Sequence, residues 1–278
     1  WGKQFSPPKY KIITLEGSFH GRTIATITAT GQQKVKNGFE PLLPGFVHVP
    51  FDNVKAIEEA IDKETVAIML EPVQGEGGIR IPSPHYLKKI RKICDENQVL
   101  LIFDEIQTGM GRTGYLFAYE REGVKPDILT LAKSLANGLP IGAMLAKIEI
   151  TNAFSRGSHA STFGGNPISC AAAKAVMGIL TGTEILEYAK QIGSFLKEKL
   201  NQLKEKHQII KEIRICGLMV GIELDTKAQP IVEKCLQRGF LINAVQENVL
   251  RLLPPLIIER EAIEAFIEVL DKILREEQ

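Results

Sequence analysis

The sequence contains little cysteine and no long apolar run. Its four cysteines stand far apart and form no CxxC pair, which argues against a disulfide framework or a zinc site. We expect buried free thiols of a cytoplasmic protein at Cys94, Cys170, Cys216 and Cys235. The longest apolar runs, such as 99–103, fall far short of the roughly 20 residues that cross a bilayer. No signal-peptide pattern opens the chain. Because neither sign of charge dominates, we predict no contact with a membrane.

An excess of one charge is also missing. The 34 Lys and Arg residues are balanced by 33 Asp and Glu residues, which leaves a formal net charge of +1. Because a nucleic-acid-binding surface needs a dominant positive charge, we expect no nucleic-acid partner. No histidine pair has metal-ligand spacing, so we predict no metal site. With 24% charged and 44% hydrophobic residues, the chain has the composition of a globular protein. Its 278 residues are enough for one large domain or two modest ones.

Short apolar runs rich in β-formers alternate with amphipathic helical runs in the first part of the chain. Such alternation predicts an α/β fold with a mainly parallel sheet covered by helices. Strands are predicted at 11–15, 46–49, 66–70, 99–104, 127–131 and 142–146. A helix is predicted over 84–96 with Ser83 as its N-cap, because apolar residues recur there at helical spacing.

The pattern changes after the Gly- and Pro-rich segment 157–167. A small-residue helix at 168–180 and a long amphipathic helix at 185–203 follow, and the remainder predicts α+β structure. Strands are predicted at 218–224, 240–243 and 249–252, and a closing helix at 263–274. We place a boundary after residue 182, which gives a large domain over 1–182 and a small C-terminal domain over 183–278.

The strongest local signal is a buried strand that ends in two acids, Asp104 and Glu105. Ligands bind at the carboxyl ends of strands in open α/β sheets, so Asp104 is well placed to meet one. Three interpretations compete: an acid that holds magnesium beside a P-loop, an acid paired with a pyridinium nitrogen, and a solvated strand-end acid. The first requires GxxxxGK[ST], and the nearest match, 17–23, is one residue short and has arginine in place of the lysine.

Lys133 follows the next predicted strand, so it also lies at a strand end. Most lysines are surface charges, and that is the plain interpretation here. The residues around it are mostly small or apolar, however, and a lysine held among apolar groups loses its proton more easily and can form a Schiff base.

Six motifs together resemble the class III (subgroup II) pyridoxal-phosphate-dependent aminotransferases. They are Ser18-Phe-His-Gly-Arg-Thr23, Glu71-Pro-Val-Gln-Gly-Glu-Gly-Gly78, Phe103-Asp-Glu-Ile-Gln-Thr-Gly-Met-Gly-Arg-Thr-Gly114, Pro126-Asp-Ile-Leu-Thr-Leu-Ala-Lys133, Ser161-Thr-Phe-Gly-Gly-Asn-Pro167 and Arg251-Leu-Leu-Pro-Pro255. They fall in the family's order over nearly the whole chain. The spelling of 157–167 is most similar to that of acetylornithine aminotransferases. The resemblance implies the PLP-transferase fold of the aspartate aminotransferase type (fold type I), with a mainly parallel large domain and a small C-terminal α+β domain.

The resemblance implies pyridoxal 5′-phosphate as the cofactor and gives roles to the matching residues. Lys133 would hold the cofactor as a Schiff base and move a proton between substrate and cofactor. Asp104 would pair with the pyridinium nitrogen, which keeps the ring an electron sink. Gln107 would hydrogen-bond the phenolic oxygen, and Phe19 and Ile106 would cover the two ring faces. The implied cofactor-binding set is Phe19, His20, Asp104, Ile106, Gln107, Lys133 and Thr162.

The implied substrate-binding set is Arg22, Glu76, Arg251 and Ser161. Arginine forks suit the carboxylates of an amino-acid donor and of 2-oxoglutarate or glutamate. Arg22 would hold a substrate carboxylate, and Arg251 would hold the α-carboxylate of glutamate. Glu76 would pair with Arg251 while a donor reacts through its distal amine and release it for glutamate. An exposed ion pair without a functional role is the alternative.

Thr162 would donate its hydroxyl to the cofactor phosphate of the neighbouring subunit, which makes the active site a property of a homodimer. The alternative is a threonine that caps the helix beginning near Pro167. The family's Ser-Gly-x-Glu turn, which cradles the phosphate at a helix N-terminus, has no match here. We therefore expect an N-terminal portion to precede Trp1.

The reaction implied by the resemblance transfers the δ-amino group of N-acetylornithine to 2-oxoglutarate, in arginine biosynthesis. Ornithine, 4-aminobutyrate and succinyldiaminopimelate aminotransferases are the alternatives, because they share the cofactor residues and differ in the lining of the pocket. An alternative of another class is an inactive fragment that only associates with partners.

Overall fold

A computed structural model of the chain describes residues 1–277. Contacts within the chain divide these residues into two compact units. The N-terminal unit comprises 1–72, 82–109 and 119–178, and the C-terminal unit comprises 73–81, 110–118 and the described residues from 179 onward. Two early segments thus group with the C-terminal residues, while the domain boundary after residue 182 stays a prediction.

The N-terminal unit contains a six-stranded sheet. Its strands are β1 (Lys11–Leu15), β2 (Phe46–Val49), β3 (Thr65–Leu70), β4 (Leu100–Asp104), β5 (Ile128–Leu131) and β6 (Ala143–Ala146), in the spatial order β2-β1-β3-β4-β5-β6. Neighbouring strands run parallel except β6, which is antiparallel to β5. Central strands of such a sheet are apolar on both faces because helices cover both. The prediction of a mainly parallel sheet is confirmed.

Helices of varied length lie between these strands or follow the last of them. They are α1 (Ile24–Ala29), α2 (Gln33–Lys36), α3 (Val54–Ala60), α4 (Tyr86–Asn97), α5 (Ile148–Thr151) and α6 (Pro167–Gly182). Short 3-10 helices span Gly2–Gln4, Ala118–Arg121 and Lys133–Ala136.

The start of α4 corrects a prediction. The helix begins at Tyr86 after His85, whose backbone is left-handed, and not at Pro84. Ser83 does not cap it, because the Ser83 N–H and hydroxyl both donate to the Asp52 carboxylate at 2.9–3.1 Å. The predicted apolar face is confirmed, since Leu87, Ile90, Ile93 and Cys94 are buried.

The C-terminal unit contains a four-stranded antiparallel sheet in the order β7-β8-β10-β9. Its strands are β7 (Ile210–Cys216), β8 (Met219–Leu224), β9 (Asn243–Val245) and β10 (Val249–Leu252), and its helices are α7 (Ile185–Lys206), α8 (Gln229–Gln237) and α9 (Arg260–Glu276). The long stripes of α7 and α9 enter one apolar core with this sheet. The α+β character is confirmed. The strand predicted at 240–243 is wrong, because β9 begins only at Asn243, and β7 and α8 were not predicted.

The apolar helix α6 leaves much of its surface open. Its sequence has one charged residue, Lys174. Ile168 in its first turn is 74% exposed, and Phe163 in the segment before the helix is 81% exposed. Within residues 1–277 no single helix is long and apolar enough to cross a membrane. Taken together, α6 and α7 have the length and the apolar composition of a membrane span, but the chain bends by 71° between them. The four cysteines are free thiols. Cys94, Cys216 and Cys235 are buried as expected, but Cys170 is exposed on α6.

Candidate active site

The site in the N-terminal unit is built at the ends of two neighbouring parallel strands. Asp104 is the last residue of β4, and Lys133 begins the 3-10 helix that directly follows β5. The two strand ends are in register, with Asp104 opposite Thr130, and the Glu105 N–H donates to the Thr130 carbonyl at 3.0 Å. The sheet therefore brings an acid and an amine to its carboxyl edge, where ligands of α/β proteins bind.

Asp104 is a buried carboxylate with a histidine partner. Its Oδ2 lies 2.8 Å from Nδ1 of His20, and its Oδ1 accepts the Ile106 N–H at 3.1 Å. His20 is itself fixed, since its backbone N–H donates to Oγ1 of Thr30 at 2.9 Å. Because a buried polar group requires partners, the His20 ring and the Ile106 N–H together hold the Asp104 carboxyl group in place. The His20 Nε2 is buried and makes no hydrogen bond to residues 1–277.

A second buried acid holds the Phe19 segment. Glu71 directly follows β3, and its Oε2 accepts the Phe19 N–H at 3.0 Å. The Phe19 side chain is half-buried, and the exposed Arg22 places its Cζ 5.2 Å from the Phe19 ring centroid, within cation–π range. Ile106 and Gln107 are half-buried on the turn after β4. Glu71 was not predicted as a site residue, although it begins the motif over residues 71–78.

The surroundings of Lys133 differ from the prediction. Its side chain is exposed, so the expectation of an apolar environment is wrong for this residue; the apolar neighbours Leu135 and Ala136 turn into the core instead. Lys133 has a left-handed backbone with φ of 49°, which is unusual for a residue other than glycine. Such conformations carry strain and concentrate at functional sites. Lys133 lines an open cavity of about 360 Å³ with residues 134 and 137–141.

Ser161 and Thr162 lie in the irregular segment before α6, and both are exposed. The alternative of helix capping by Thr162 is wrong, because that position belongs to Asn166. The Asn166 Oδ1 accepts the Ser169 N–H at 2.9 Å, just as an N-cap residue does.

The C-terminal unit holds a separate acid–base pair. Arg251, on β10, donates from Nη1 to Oε1 of Glu76 at 2.7 Å. The Arg251 side chain is 10% exposed and that of Glu76 is 33% exposed, so the alternative of a fully exposed ion pair does not describe it. Glu76 lies on a tight turn closed by two backbone hydrogen bonds between Gln74 and Arg80, at 3.0 and 3.1 Å.

Two amides that sequence reasoning missed contact this pair. Asn243 lies opposite Arg251 in the β9–β10 register, and its Oδ1 accepts from Arg251 Nε at 3.2 Å. The Gln246 Nε2 donates to the backbone carbonyl of Glu76 at 2.6 Å. The only sequence signal for Asn243 is its place in a hairpin whose turn residues bring it opposite Arg251.

The Gly-Arg-Thr-Gly part of the Phe103–Gly114 motif has a structural role. Arg112 donates to the backbone carbonyls of Leu218 and Pro254, and the Leu218 N–H donates back to the Arg112 carbonyl at 3.0 Å. Burial lowers the pKa of Arg112 to about 10, because its surroundings disfavour the charged form. Arg112 thus ties the segment 110–118 into the C-terminal unit. Among residues 1–277, His, Cys, Asp and Glu side chains form no group of three or more that could hold a metal.

Comparison with known proteins agrees with this arrangement. The profile of the family described as aminotransferase class-III matches residues 1–274. The acetylornithine aminotransferase of Caldanaerobacter subterraneus subsp. tengcongensis is 53% identical over 274 residues, which are 98% of this chain and 70% of that protein.

Solved structures give the same result. The ornithine aminotransferase of Toxoplasma gondii ME49 has a TM-score of 0.94 at 36% identity, over 99% of this chain and 68% of that one. A second structure of the Toxoplasma gondii enzyme, also at a TM-score of 0.94 and 36% identity over 99% of this chain and 66% of that one, has partial occupancy of PLP at its active site. Both matches cover 99% of this chain. The chain therefore belongs to the class-III aminotransferase family.

Proposed function

We propose that this chain serves a pyridoxal-phosphate-dependent aminotransferase that moves the δ-amino group of N-acetylornithine to 2-oxoglutarate, in arginine biosynthesis. The observation that carries the proposal is the placement of a buried acid and a strained lysine at adjacent strand ends of one sheet. An aminotransferase needs both groups at once, the lysine to hold the cofactor and move a proton, and the acid to hold the ring nitrogen protonated.

The residues at this sheet edge fit pyridoxal phosphate. The buried Asp104 carboxylate has hydrogen-bond donors in His20 and the Ile106 N–H, and a pyridinium N–H would give it a cationic partner. When bound, the cofactor withdraws electrons from the substrate carbon. Lys133 would hold it and exchange the proton at that carbon, and Gln107 would donate to its phenolic oxygen.

The neighbouring side chains would orient the ring and the substrate. Phe19 and Ile106 would cover its two faces, so that the bond to be broken stands perpendicular to the ring. His20 would keep the Asp104 carboxyl group oriented. Arg22 would bind a substrate carboxylate, which requires its guanidinium to leave its position over the Phe19 ring, and Ser161 would contact the substrate.

The pair in the C-terminal unit would solve a problem of two substrates. N-acetylornithine reacts through its distal amine, whereas glutamate reacts through its α-amine, next to a carboxylate. Because the α-nitrogen of N-acetylornithine is acetylated and cannot react, an unmasked Arg251 that captured the donor's α-carboxylate would hold the donor in an unproductive position. Glu76 would mask Arg251 for the first substrate and release it for glutamate, and its 33% exposure lets water solvate the released carboxylate.

The choice of N-acetylornithine is supported by the 53% identity to an acetylornithine aminotransferase. The test is a comparison of kcat/KM for N-acetylornithine, ornithine, 4-aminobutyrate and N-succinyldiaminopimelate, each with 2-oxoglutarate. We expect N-acetylornithine to lead by roughly tenfold or more, the scale on which one pocket discriminates similar substrates. A lead for another donor would replace the substrate, and no turnover with any donor would favour the inactive fragment.

We propose further that two copies assemble into a homodimer in which Thr162 binds the cofactor phosphate held by the partner. The support is the exposed apolar surface of α6 beside the exposed Thr162, since large apolar patches mark association surfaces. The test mixes the inactive variants Lys133→Ala and Thr162→Glu. Action across subunits restores about a quarter of the sites in a random mixture, because one site of each mixed dimer is intact. Action within a subunit restores none. A cytoplasmic location is proposed with it, on the strength of four free cysteines.

A further inference from the structure

Arg251 is held at two points of its guanidinium group by side chains of different kinds. Nη1 contacts the Glu76 carboxylate, whereas Nε contacts the amide oxygen of Asn243. The Nε contact is built into the sheet, because Asn243 and Arg251 are register partners on β9 and β10. A neutral acceptor on Nε leaves the positive charge of the guanidinium intact and fixes the plane of its fork.

Glu76 is held by its backbone and not only by its side chain. The Gln246 amide donates to the Glu76 carbonyl at 2.6 Å, and Gln246 has a left-handed backbone with φ of 55°. A residue other than glycine adopts this conformation at a cost, so the surrounding structure must stabilise it. The contact anchors the backbone of the turn and does not involve the Glu76 carboxylate.

We propose that Asn243 and Gln246 are positioning residues with opposite effects on donor choice. Asn243 keeps the Arg251 fork oriented for a substrate carboxylate when Glu76 has left. Gln246 keeps the Glu76 backbone within reach of Arg251, so that Glu76 returns to the same place after each glutamate. This inference rests on the proposed exchange between Glu76 and a substrate carboxylate at Arg251. During that exchange the two neutral amides hold the Arg251 fork and the Glu76 backbone in place.

The experiment compares Asn243→Ala and Gln246→Ala with the wild-type enzyme and with Gln229→Ala. Gln229 is an exposed glutamine of the same unit, and its side-chain amide donates to the Glu233 carboxylate. Its variant therefore controls for the loss of a side-chain amide. The first readout is the single-turnover rate of the cofactor-loaded enzyme with glutamate and, separately, with N-acetylornithine. The second is the Kd of glutarate, a dicarboxylate without an amine, measured by calorimetry.

For Asn243→Ala we expect the glutamate rate to fall about tenfold and the glutarate Kd to rise about tenfold, the scale of one hydrogen bond to a charged group. The N-acetylornithine rate should change less than about threefold. For Gln246→Ala we expect the reverse, a fall of about tenfold with N-acetylornithine and a glutarate Kd that is unchanged or lower, because a loosened Glu76 competes less well for Arg251. Gln229→Ala should match the wild type in all three.

Isosteric variants guard against misfolding. Asn243→Asp keeps the shape and adds a permanent negative charge beside Arg251, so it should slow glutamate more than Asn243→Ala does. Gln246→Glu removes the donor to the Glu76 carbonyl and should act like Gln246→Ala. Equal slowing of both donors by the variants at either position, with an unchanged glutarate Kd, would overturn the proposal and leave these amides a merely structural role.

The variant Glu76→Ala, measured in parallel, separates this inference from the proposed function. A changed donor ratio in Glu76→Ala together with unchanged ratios in the amide variants would overturn the role of the amides alone. An unchanged ratio of the two donor rates in Glu76→Ala would overturn the proposed exchange itself and, with it, the role of Asn243 and Gln246.

Discussion

Two acid–base pairs, one in each unit, differ in how far water reaches them. The His20 and Asp104 side chains are 0% and 4% exposed, whereas Arg251 and Glu76 are 10% and 33% exposed. Separating a fully desolvated pair leaves an uncompensated charge, which costs several kcal/mol, about 3–5 in typical proteins. A partly hydrated carboxylate loses less, because water replaces its partner. The first pair is thus suited to remain fixed and the second to open and close.

The difference in hydration matches the demands of the proposed reaction. The ring nitrogen must stay protonated through both half-reactions, so its partner gains nothing from moving. The site for the α-carboxylate must be masked in one half-reaction and open in the other. Variants of the first pair should therefore affect both donors equally, and variants of the second should affect them differently.

The largest effect is expected for Asp104→Asn, which keeps the shape and removes the charge. Turnover should fall by a factor of about 10²–10⁴, which is the rate contribution typical of one acid–base group in an active site. The factor should be the same with both donors. His20→Gln should give a smaller, equally uniform loss of about tenfold. Single-turnover rates of the cofactor-loaded enzyme measure both effects. Near-normal turnover of Asp104→Asn would mean that another group holds the ring nitrogen.

Glu76→Ala should break the symmetry between the donors. We expect the glutamate half-reaction to be spared or accelerated and the N-acetylornithine one to slow by about 10- to 100-fold, as expected from one charged contact of about 1.5–3 kcal/mol. With ornithine, whose α-amine is free, transamination at the α-amine should increase, which mass spectrometry of the keto-acid products can detect. If both donors slowed equally, Glu76 would be a structural residue.

Asp127 offers a third acid that should affect stability and not donor choice. It is 7% exposed, and its Oδ2 accepts the Leu101 N–H at 2.7 Å and Arg91 Nη1 at 2.8 Å, while Lys147 Nζ lies 2.6 Å from Oδ1. Burial tends to raise its pKa, but these hydrogen bonds outweigh it, so the pKa of Asp127 lies below its usual value.

A lowered pKa means that Asp127 stabilises the fold above the pKa of the unfolded state, about 3.9, and that this contribution is lost as pH falls through the folded pKa. Asp127→Asn should reduce the free energy of unfolding by about 1–3 kcal/mol at pH 7. Urea unfolding at pH 7 and at pH 3 should show a smaller difference at the lower pH. The donor ratio should not change, and a change in it would weaken the contrast between the other two pairs.

The sequence predicted the parts of the fold that local pattern determines. The parallel strands were found because continuous apolar runs mark strands buried on both faces, and α4 because its apolar stripe recurs at helical spacing. The start of α4 was not, since Asp52, 31 residues away in the sequence, takes the Ser83 hydrogen bonds that a cap would use. Such competition depends on tertiary contacts that no local pattern records.

The candidate site divides in the same way. The strand-end positions of Asp104 and Lys133 follow from strand order, whereas the contact between His20 and Asp104 was not predicted. The exposure of Lys133 did not follow, because a short 3-10 turn sends Leu135 and Ala136 inward in place of the lysine. Asn243 and Gln246 were missed because their contacts with Arg251 and Glu76 depend on hairpin register and on a turn 170 residues earlier.

Chemical trapping would show directly whether Lys133 holds the cofactor. The protein is loaded with pyridoxal phosphate, reduced with borohydride, digested, and mapped by mass spectrometry, with Lys133→Ala as the control. We expect one modified peptide, carrying the label on Lys133, and no specific label in the variant. A label spread over several surface lysines, or an equal label in Lys133→Ala, would contradict this role of Lys133.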